Sequence, residues 1–570
     1  MPLDPKGGAS RTRARSDLRA FGEPQRWLMG GSLALGIALI LGFLALVTWN
    51  GIATFYPGPI AVVQLVDGTV LAGEPTRSEA FEPPQDEVAS LPEAWRERIT
   101  SAYGLASRQL YRVGNYDLYN EDFRWIPEYR VASIEHPADV YFFERVEWGP
   151  FIGRIAEVDL GAGPIAGPGI PEPPLREAHR RARQRWSRIR QIERVQIGRI
   201  NHELESARLD LRGLELSSGR GSDAYQEARR RLEVGIDQLQ REYEALAAEA
   251  AALRAEDARY TMTLEDVSGR RKQLSLSDVT RFYAPNELDT VGSLGVYFSR
   301  WKEFLTEEPR EANTEGGVMP AIFGTAAMTL LMVIAVAPFG VITALYLREY
   351  AKQGRLVSIV RISVNNLAGV PSIVYGVFGL GFFAYTIGAS IDELFYPERL
   401  PNPTFGTGGL LWASLTLALL TVPVVIVATE EALSAVPRSV REGSLACGAS
   451  KWQTIRKVVL PQALPGIMTG LILAMARGAG EVAPLMLVGV VKLAPELPVD
   501  AQFPFVHLER SFMHLGFHIY DVGFQSRNSE AGKPMVFVTT LLLISLIAAM
   551  NATAIYVRAR LKRRFAGSQF

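Results

Sequence analysis

An arginine and a glutamate lie within an apolar run near the C-terminal end of the chain. Arg477 and Glu481 fall in residues 467–491, which are long enough to cross a membrane. Their spacing of four residues places both side chains on one helix face, although a pair seldom removes the cost of about 2.5–3.5 kcal/mol per charge at mid-bilayer. The pair either fixes the helix orientation by neutralising itself, or forms a pathway site. In the second case, which we favour, the planar guanidinium binds an oxyanion that Glu481 positions or releases.

A second polar feature opens the apolar run 364–387, where the sequence reads VNNLAGVPSIVYG. Pro371 interrupts the hydrogen-bond ladder of a helix, and a broken helix beside a pathway can present backbone dipoles to a ligand. Because prolines are common in membrane spans, a structural kink and a gating role are equally open. Asn366, Pro371 and Ser372 are therefore further candidate pathway residues.

Residues 430–461, here called the polar segment, separate two apolar runs. The polar segment has a helical pattern with basic residues on both flanks, a glycine turn at Gly448 and an expected stop at Leu460-Pro461. It is too short to form a domain. We interpret it as a docking surface that moves the spans on either side of it.

The polar segment resembles the E-A-A-x3-G-x9-I-x-L-P signature of ABC importer permeases. Glu442-Gly443-Ser444 is followed by Gly448, Val458 and Leu460-Pro461 at the same spacing. In that family the segment folds as two short helices around the glycine and binds in a groove of the ATPase. The resemblance implies an ATPase-coupling role for Glu442, Gly443, Ser444, Gly448, Ala449, Trp452, Leu460 and Pro461.

Composition narrows the remaining classes. The chain has 570 residues, 48% of them apolar, and its 60 basic and 60 acidic residues give no net charge, so nothing favours a nucleic-acid partner. Its single cysteine, Cys447, excludes an intrachain disulfide. No G-x-x-x-x-G-K-[ST] loop occurs, so ATP would have to be bound by another chain. We expect no metal, no cofactor and no catalytic residues, because no nucleophile–base pair or metal-spaced cluster is found.

Six apolar runs predict an α-helical integral membrane protein with six transmembrane helices. The runs cover residues 27–49, 319–347, 364–387, 410–428, 467–491 and 535–557. The first is too long for the core of a cleaved signal peptide, so we expect it to be retained. Basic residues concentrate in the N-terminus (1–26), between runs two and three, between runs four and five, and in the tail (559–570). The positive-inside rule then places both termini and the polar segment in the cytoplasm, and the insert (51–317) outside.

The insert has three parts that differ in their sequence pattern. Alternating strand-like runs occupy residues 53–160, a charged helical stretch follows at 175–255, and strand patterns return at 259–283. The helical stretch is broken near 217–222 and carries a coiled-coil seam, which predicts an antiparallel hairpin inserted into a small β module. The hairpin either packs only on itself or acts as a stalk that contacts a partner outside the membrane.

Three stretches within the permease core, residues 318–558, indicate a more specific resemblance than the ABC importer permeases as a whole. Residues 366–376, the Arg477-x-x-x-Glu481 pair and the sequence HIYDVG at 518–523 look like the PstA-type permease of the bacterial phosphate ABC importer. The large insert would mark an enlarged subclass. The resemblance implies a location in the inner membrane and three kinds of partner: a PstC-type permease, two PstB-type ATPases and a PstS-type periplasmic binding protein.

The resemblance therefore implies a subunit that moves phosphate inward. A permease of the same class for sulfate or molybdate is the nearest alternative. A membrane sensor that uses the coiled coil as an input rod is disfavoured, because it would need a cytoplasmic output domain and every segment assigned to the cytoplasm is too short to hold one.

Overall fold

The computed structural model describes residues 24–161, 163–166, 172–494, 496–500, 505–526 and 529–566. Most of the predicted basic N-terminus, and the end of the predicted tail, lie outside the described residues. The first helix, α1 (Pro24–Ala53), is apolar and almost fully exposed within the chain. Such a helix needs surrounding hydrocarbon, since water would hydrate its apolar side chains at a large cost in free energy.

Six helices in the described part of the chain are long and apolar enough to cross a membrane, which confirms the predicted number of spans. They cover Trp27–Ala53, Met319–Tyr350, Ser372–Phe395, Leu410–Ser434, Lys451–Gly480 and Glu530–Arg563. The first, second, fourth and sixth contain or nearly contain the apolar runs that predict them. The third and fifth are displaced.

The third span begins later than its apolar run predicts. Residues 355–367 form an amphipathic helix, α10 (Arg355–Leu367), and the span starts only at α11 (Ser372–Phe378). Pro371 lies in the break because it has no N–H to donate and pushes the preceding residue out of the helical region. The span then continues through a π-helical stretch to α12 (Ala389–Phe395).

The fifth span ends earlier than its apolar run predicts. Its main helix, α16 (Leu460–Gly480), stops before Glu481, which has an extended backbone (φ −77°, ψ 137°). Glycines at 478 and 480 weaken the helix, and Pro484 cannot donate the next hydrogen bond. The chain continues through two short helices, α17 (Leu485–Val488) and α18 (Leu515–Tyr520), to the last span, α19 (Ser529–Ala566).

Three helices form the centre of the membrane core: α9 (Met319–Leu345), α13 (Leu410–Ser434) and α16. α13 is the most enclosed of the six candidate spans, since 67% of its most apolar 18-residue stretch is buried. Glycines allow these helices to approach closely: Gly340 lies against Val425, and Gly470 lies against Ala428. The centre of the bundle is therefore packed tightly.

The insert contains eleven described strands: β1 (Ala61–Leu65), β2 (Val70–Phe81), β3 (Ala106–Arg112), β4 (Phe123–Pro127), β5 (Val131–Glu135), β6 (Tyr141–Arg145), β7 (Phe151–Leu160), β8 (Pro164–Ala166), β9 (Tyr260–Glu265), β10 (Arg271–Ser275) and β11 (Val279–Tyr283). They form two antiparallel sheets. The first has the strand order β4-β3-β2-β1-β5, and the second has the order β10-β9-β7-β6-β11, with β8 paired to β7. Three short helices, α2 (Gln85–Ser90), α3 (Glu93–Ser101) and α4 (Tyr116–Tyr119), interrupt the strand-rich stretch. Strands before and after the helical stretch share the second sheet.

Two long helical arms leave the second sheet and return to it. α5 (Glu172–Arg190) continues through a π-helical turn into α6 (Ile197–Ser218), and α7 (Asp223–Asp257) runs back, capped by Ser222. Ion pairs such as Arg188–Glu249 (2.8 Å) join the arms. Within the predicted seam, Ile200 is buried whereas Tyr243 is exposed, so continuous coiled-coil packing stays a prediction.

An amphipathic helix, α8 (Thr290–Thr306), forms one of the connections between the insert and the membrane core. The side chain of Phe304 in α8 is fully buried in a cluster with Val318 and Ala321, at the start of α9, and with Met513, just before α18. The carbonyl of Phe304 also accepts a hydrogen bond from the Val318 N–H (2.8 Å). Between α8 and α9 the chain forms a small hairpin of β12 (Pro309–Arg310) and β13 (Glu315–Gly316).

Candidate functional site

The Arg477–Glu481 pair lies at about half the depth of the bundle. Gly478 packs against the side chain of Met332, which stands thirteen residues from either end of α9 (Met319–Leu345). At a rise of 1.5 Å per residue, Met332 is about 20 Å from each end of that helix. The end of α16 therefore lies inside the span rather than at either end of the bundle.

The two charged side chains form a loose contact. Arg477 Nε lies 3.7 Å from Glu481 Oε1, and the side chains are 37% and 22% exposed. Glu481 is the residue that ends α16, so the pair spans the last helical turn rather than an unbroken helix face. This geometry leaves most of the guanidinium N–H groups available to another acceptor.

The break before α11 lies next to this helix end. Tyr375 is buried, and its hydroxyl donates a hydrogen bond to the carbonyl of Leu367 across the break (2.7 Å). Gly376 packs directly on Pro484, three residues beyond Glu481, where a side chain would clash. The interrupted third and fifth spans thus meet at their breaks, which is an arrangement that exposes backbone dipoles inside a bundle.

The structure brings together some of the predicted pathway residues and separates others. Arg477 and Glu481 are in contact, as their spacing predicts. Among the described residues, no hydrogen bond or ion pair links Asn366, Pro371 or Ser372 to that pair. The contact between the two regions runs instead through Tyr375, Gly376 and Pro484, so a pathway role for those three residues stays a prediction.

A buried polar cluster near α18 was not predicted as a site. His518 is 2% exposed, and neither of its ring nitrogens has a hydrogen-bond partner among the described residues. Asp521, one turn later, accepts a hydrogen bond from Asn313 Nδ2 (2.9 Å) and lies 3.1 Å from Lys492 Nζ. Four polar groups from distant parts of the chain meet here, and sequence spacing alone cannot reveal such a cluster.

The polar segment folds as two short helices around Gly448. α14 (Arg438–Ala446) precedes the turn and α15 (Lys451–Thr454) follows it, capped by Ser450 and Gln453. Gly448 has φ +83°, a conformation that suits glycine. The hydroxyl groups of Ser444 and Thr454 lie 2.9 Å apart and hold the two helices together.

The helix in the polar segment does not stop at Leu460-Pro461, contrary to the sequence prediction. The helix continues from α15 through a π-helical turn (Ile455–Val459) directly into α16. The wider π-helical turn accommodates Pro461, which has no N–H to donate to the preceding turn. One continuous helix, Lys451–Gly480, therefore connects the polar segment with the charged pair.

The predicted coupling residues differ in exposure. Trp452 is 56% exposed, and Glu442, Gly443 and Gly448 are also exposed on the same two-helix unit. Ser444, Ala449, Leu460 and Pro461 are half-buried and support the unit from behind. A large exposed indole on a polar surface is typical of a binding surface for another protein.

The polar segment is fixed to the end of the second span. Arg441 donates to the carbonyls of Leu433 and Val436 and to Glu349 (3.1 Å). The ammonium group of Lys451 lies over the ring of Tyr350, 4.8 Å from its centre. The two helices are therefore linked to the end of the second span (Met319–Tyr350) as well as to α16.

The permease core matches known proteins. Residues 336–563 match the family described as "Binding-protein-dependent transport system inner membrane component". The "Phosphate transport system permease protein PstA 1" of Mycobacterium tuberculosis (strain CDC 1551 / Oshkosh) is 34% identical over 250 residues, covering 44% of this chain and 73% of that protein. The chain belongs to the PstA family of ABC transporter permeases. This confirms the resemblance found in the sequence.

Two further relatives agree with this assignment. The PstA protein of Yersinia pestis is 37% identical over 182 residues, which cover 32% of this permease and 55% of that protein. The "Probable ABC transporter permease protein YqgH" of Bacillus subtilis (strain 168) is 36% identical over 204 residues, covering 35% of this permease and 62% of that protein. The permease thus spans less than two thirds of these two relatives.

Proposed function

We propose that this PstA-type permease is the membrane subunit of an ATP-driven importer that moves inorganic phosphate across the bacterial inner membrane. The relatives named as phosphate transport permeases support the choice of substrate. The observation that carries the proposal is the loosely paired Arg477 at mid-depth, beside two broken spans. The permease itself catalyses no reaction, and a partner chain hydrolyses ATP.

Arg477 is proposed to bind the anion directly. Its planar guanidinium matches a tetrahedral oxyanion, to which it donates two hydrogen bonds at once. Glu481 neutralises the arginine while the site is empty, which lowers the cost of a lone charge at this depth. When phosphate arrives it displaces Glu481, and the return of that carboxylate helps to release the anion.

The polar segment is proposed to couple this site to the ATPase. Glu442, Gly443, Gly448 and Trp452 bind the ATPase groove, while the half-buried residues behind them keep the two helices in register. Closure of the ATPase dimer draws the segments of the two permeases together. Trp452 and Arg477 lie on one helix, 25 residues or about 38 Å apart. A displacement at one end therefore reaches the other and turns the pathway from inward-facing to outward-facing.

The expected partners are a PstC-type permease, two PstB-type ATPases and a PstS-type periplasmic binding protein, all within or against the lipid bilayer. In this arrangement both termini and the polar segment are cytoplasmic, and the insert (51–317) is periplasmic. The helical arms α5–α7 project from the insert and offer a stalk to a periplasmic partner.

The direct test is uptake of labelled phosphate by a strain that lacks its own phosphate importers and expresses this permease with its partners. We expect uptake that unlabelled arsenate inhibits and that sulfate and molybdate do not. Inhibition by sulfate or molybdate at equal concentration would assign the permease to another oxyanion. Absence of phosphate uptake with a fully assembled complex would contradict the proposal altogether.

A further inference from the structure

A strongly basic groove lies in the insert, at the base of the helical arms. It has a volume of about 810 Å³ and is formed by α5, strand β11 and α8. Two carboxylates, Glu303 and Glu307, line it together with a larger number of cationic side chains. The five cationic side chains are Arg176, Arg180, Arg183, Arg281 and Lys302.

Three of these cations already have an acidic partner. Arg176 pairs with Glu172 and Arg180 with Glu177, both within α5. Arg281 pairs with two buried carboxylates, Glu144 and Glu303. Because Glu144, Glu172 and Glu177 do not line the groove, these three cations still contribute positive charge to its surface.

Arg183 and Lys302 are different, because neither makes an ion pair with any residue that the structure describes. Arg183 donates a hydrogen bond to the carbonyl of Ser277 (3.0 Å) and stacks on the ring of Trp186. Burial lowers the pKa of Arg183, and the nearby carboxylates of Glu307 and Glu303 offset this effect only in part. Most of its N–H donors remain available to a ligand.

We propose that the groove binds a small polyanion with several phosphoryl groups, such as a short polyphosphate. The lining has five cations and only two carboxylates, Glu303 and Glu307, so it carries an excess of three positive charges and favours a ligand with several negative charges. The volume lies within the range of about 300–1,000 Å³ that is typical of small-molecule sites, so it is large for one phosphate ion. Arginine favours phosphoryl oxygens because its fork donates paired hydrogen bonds. This inference does not depend on which anion the permease transports.

A bound polyanion would join two parts of the insert. Arg183 lies on α5, at the root of the helical arms, and Lys302 lies on α8. Because Phe304 of α8 is buried against the start of α9, the ligand would strengthen the attachment of the arms to the membrane core.

The test is isothermal titration of the purified full-length protein in lipid nanodiscs with tripolyphosphate, orthophosphate and citrate, at low ionic strength. We expect saturable binding of tripolyphosphate, with weaker binding of orthophosphate and citrate. Lys302→Gln should weaken tripolyphosphate binding about tenfold, since one charged contact is lost. Arg208→Gln, which removes an exposed cation from α6 outside the groove, should leave binding unchanged.

Arg183→Gln should weaken binding at least as much as Lys302→Gln. Lys302 is exposed, so its variant keeps the test valid if the Arg183 variant does not fold. The proposal is overturned if the unmodified protein shows no saturable binding, or if Lys302→Gln and Arg208→Gln have the same effect. Citrate binding as tight as that of tripolyphosphate would refute the phosphoryl assignment, and equally tight orthophosphate would refute the requirement for several charged groups.

Discussion

Replacing Arg477 by glutamine should abolish transport while the complex still assembles. Glutamine keeps an amide donor but loses the charge and the paired donor geometry. Each charged hydrogen bond contributes about 1.5–3 kcal/mol, so losing two of them removes about 3–6 kcal/mol of anion binding. Since each 1.4 kcal/mol is a factor of ten, uptake efficiency should fall by about 10²–10⁴.

The same substitution should cost the fold little. The distance from Arg477 to Glu481 is 3.7 Å and both side chains are partly exposed. Because both side chains are partly exposed, we expect the remaining Glu481 to be tolerated and the complex to assemble. Arg399→Gln is the control, because Arg399 lies in a short 3₁₀ helix between the third and fourth spans and makes no ion pair with a described residue.

The assay is the initial rate of labelled-phosphate uptake, divided by the amount of complex that co-purifies with the tagged ATPase. Arg477→Gln should lose uptake at normal complex levels, and Arg399→Gln should retain both. Uptake within threefold of the unmodified permease would refute the role given to Arg477. Loss of the complex itself would show that the pair is structural, as in a helix that only needs its orientation fixed.

The remaining predictions concern the polar segment and the insert. Gly448→Asp should cost about 1–2 kcal/mol, because φ is +83°, and should reduce ATPase co-purification; full co-purification and transport would rule out docking there. Glu144→Gln should destabilise the insert by about 3–5 kcal/mol in thermal unfolding, since Arg281 and Arg300 lose their buried partner. Burial opposes ionisation of Glu144, but Arg300 and Arg281 outweigh it and lower its pKa. Stability from this group is therefore present above about pH 4.5 and lost as acidification passes its folded pKa, a dependence that Glu144→Gln should lack.

Much of the membrane core could be predicted from the sequence. Hydrophobic length gives the number of spans, because every span needs about 20 apolar residues whatever its neighbours are. Hydrophobicity cannot locate a break inside an apolar run, however. Residues 364–387 and 467–491 were each predicted as one span, yet Pro371 and the glycines before Glu481 end helices inside them for backbone reasons.

Contacts between residues far apart in the chain could not be predicted from the sequence. His518, Asn313, Lys492 and Asp521 meet because three separate segments of the chain pack together, and the periodicity of the sequence does not reveal that packing. Likewise, β6 pairs with β11 across the whole length of the helical arms. The helices α2 and α3 are another matter, since each starts after a proline with acidic residues in its first turn, a signal that sequence analysis could have used.

Labelling of Cys447 tests most directly whether the polar segment can bind an ATPase in the cytoplasm. Cys447 is the only cysteine in the chain, and it is exposed in the polar segment. Spheroplasts with the permease are treated with a membrane-impermeant maleimide before and after permeabilisation. Ser218→Cys in a Cys447→Ser background is the control for the insert side. We predict that Cys447 is labelled only after permeabilisation and that the control is labelled in intact spheroplasts. Labelling of Cys447 in intact spheroplasts would place the polar segment where no ATPase can bind it, and would contradict the coupling mechanism.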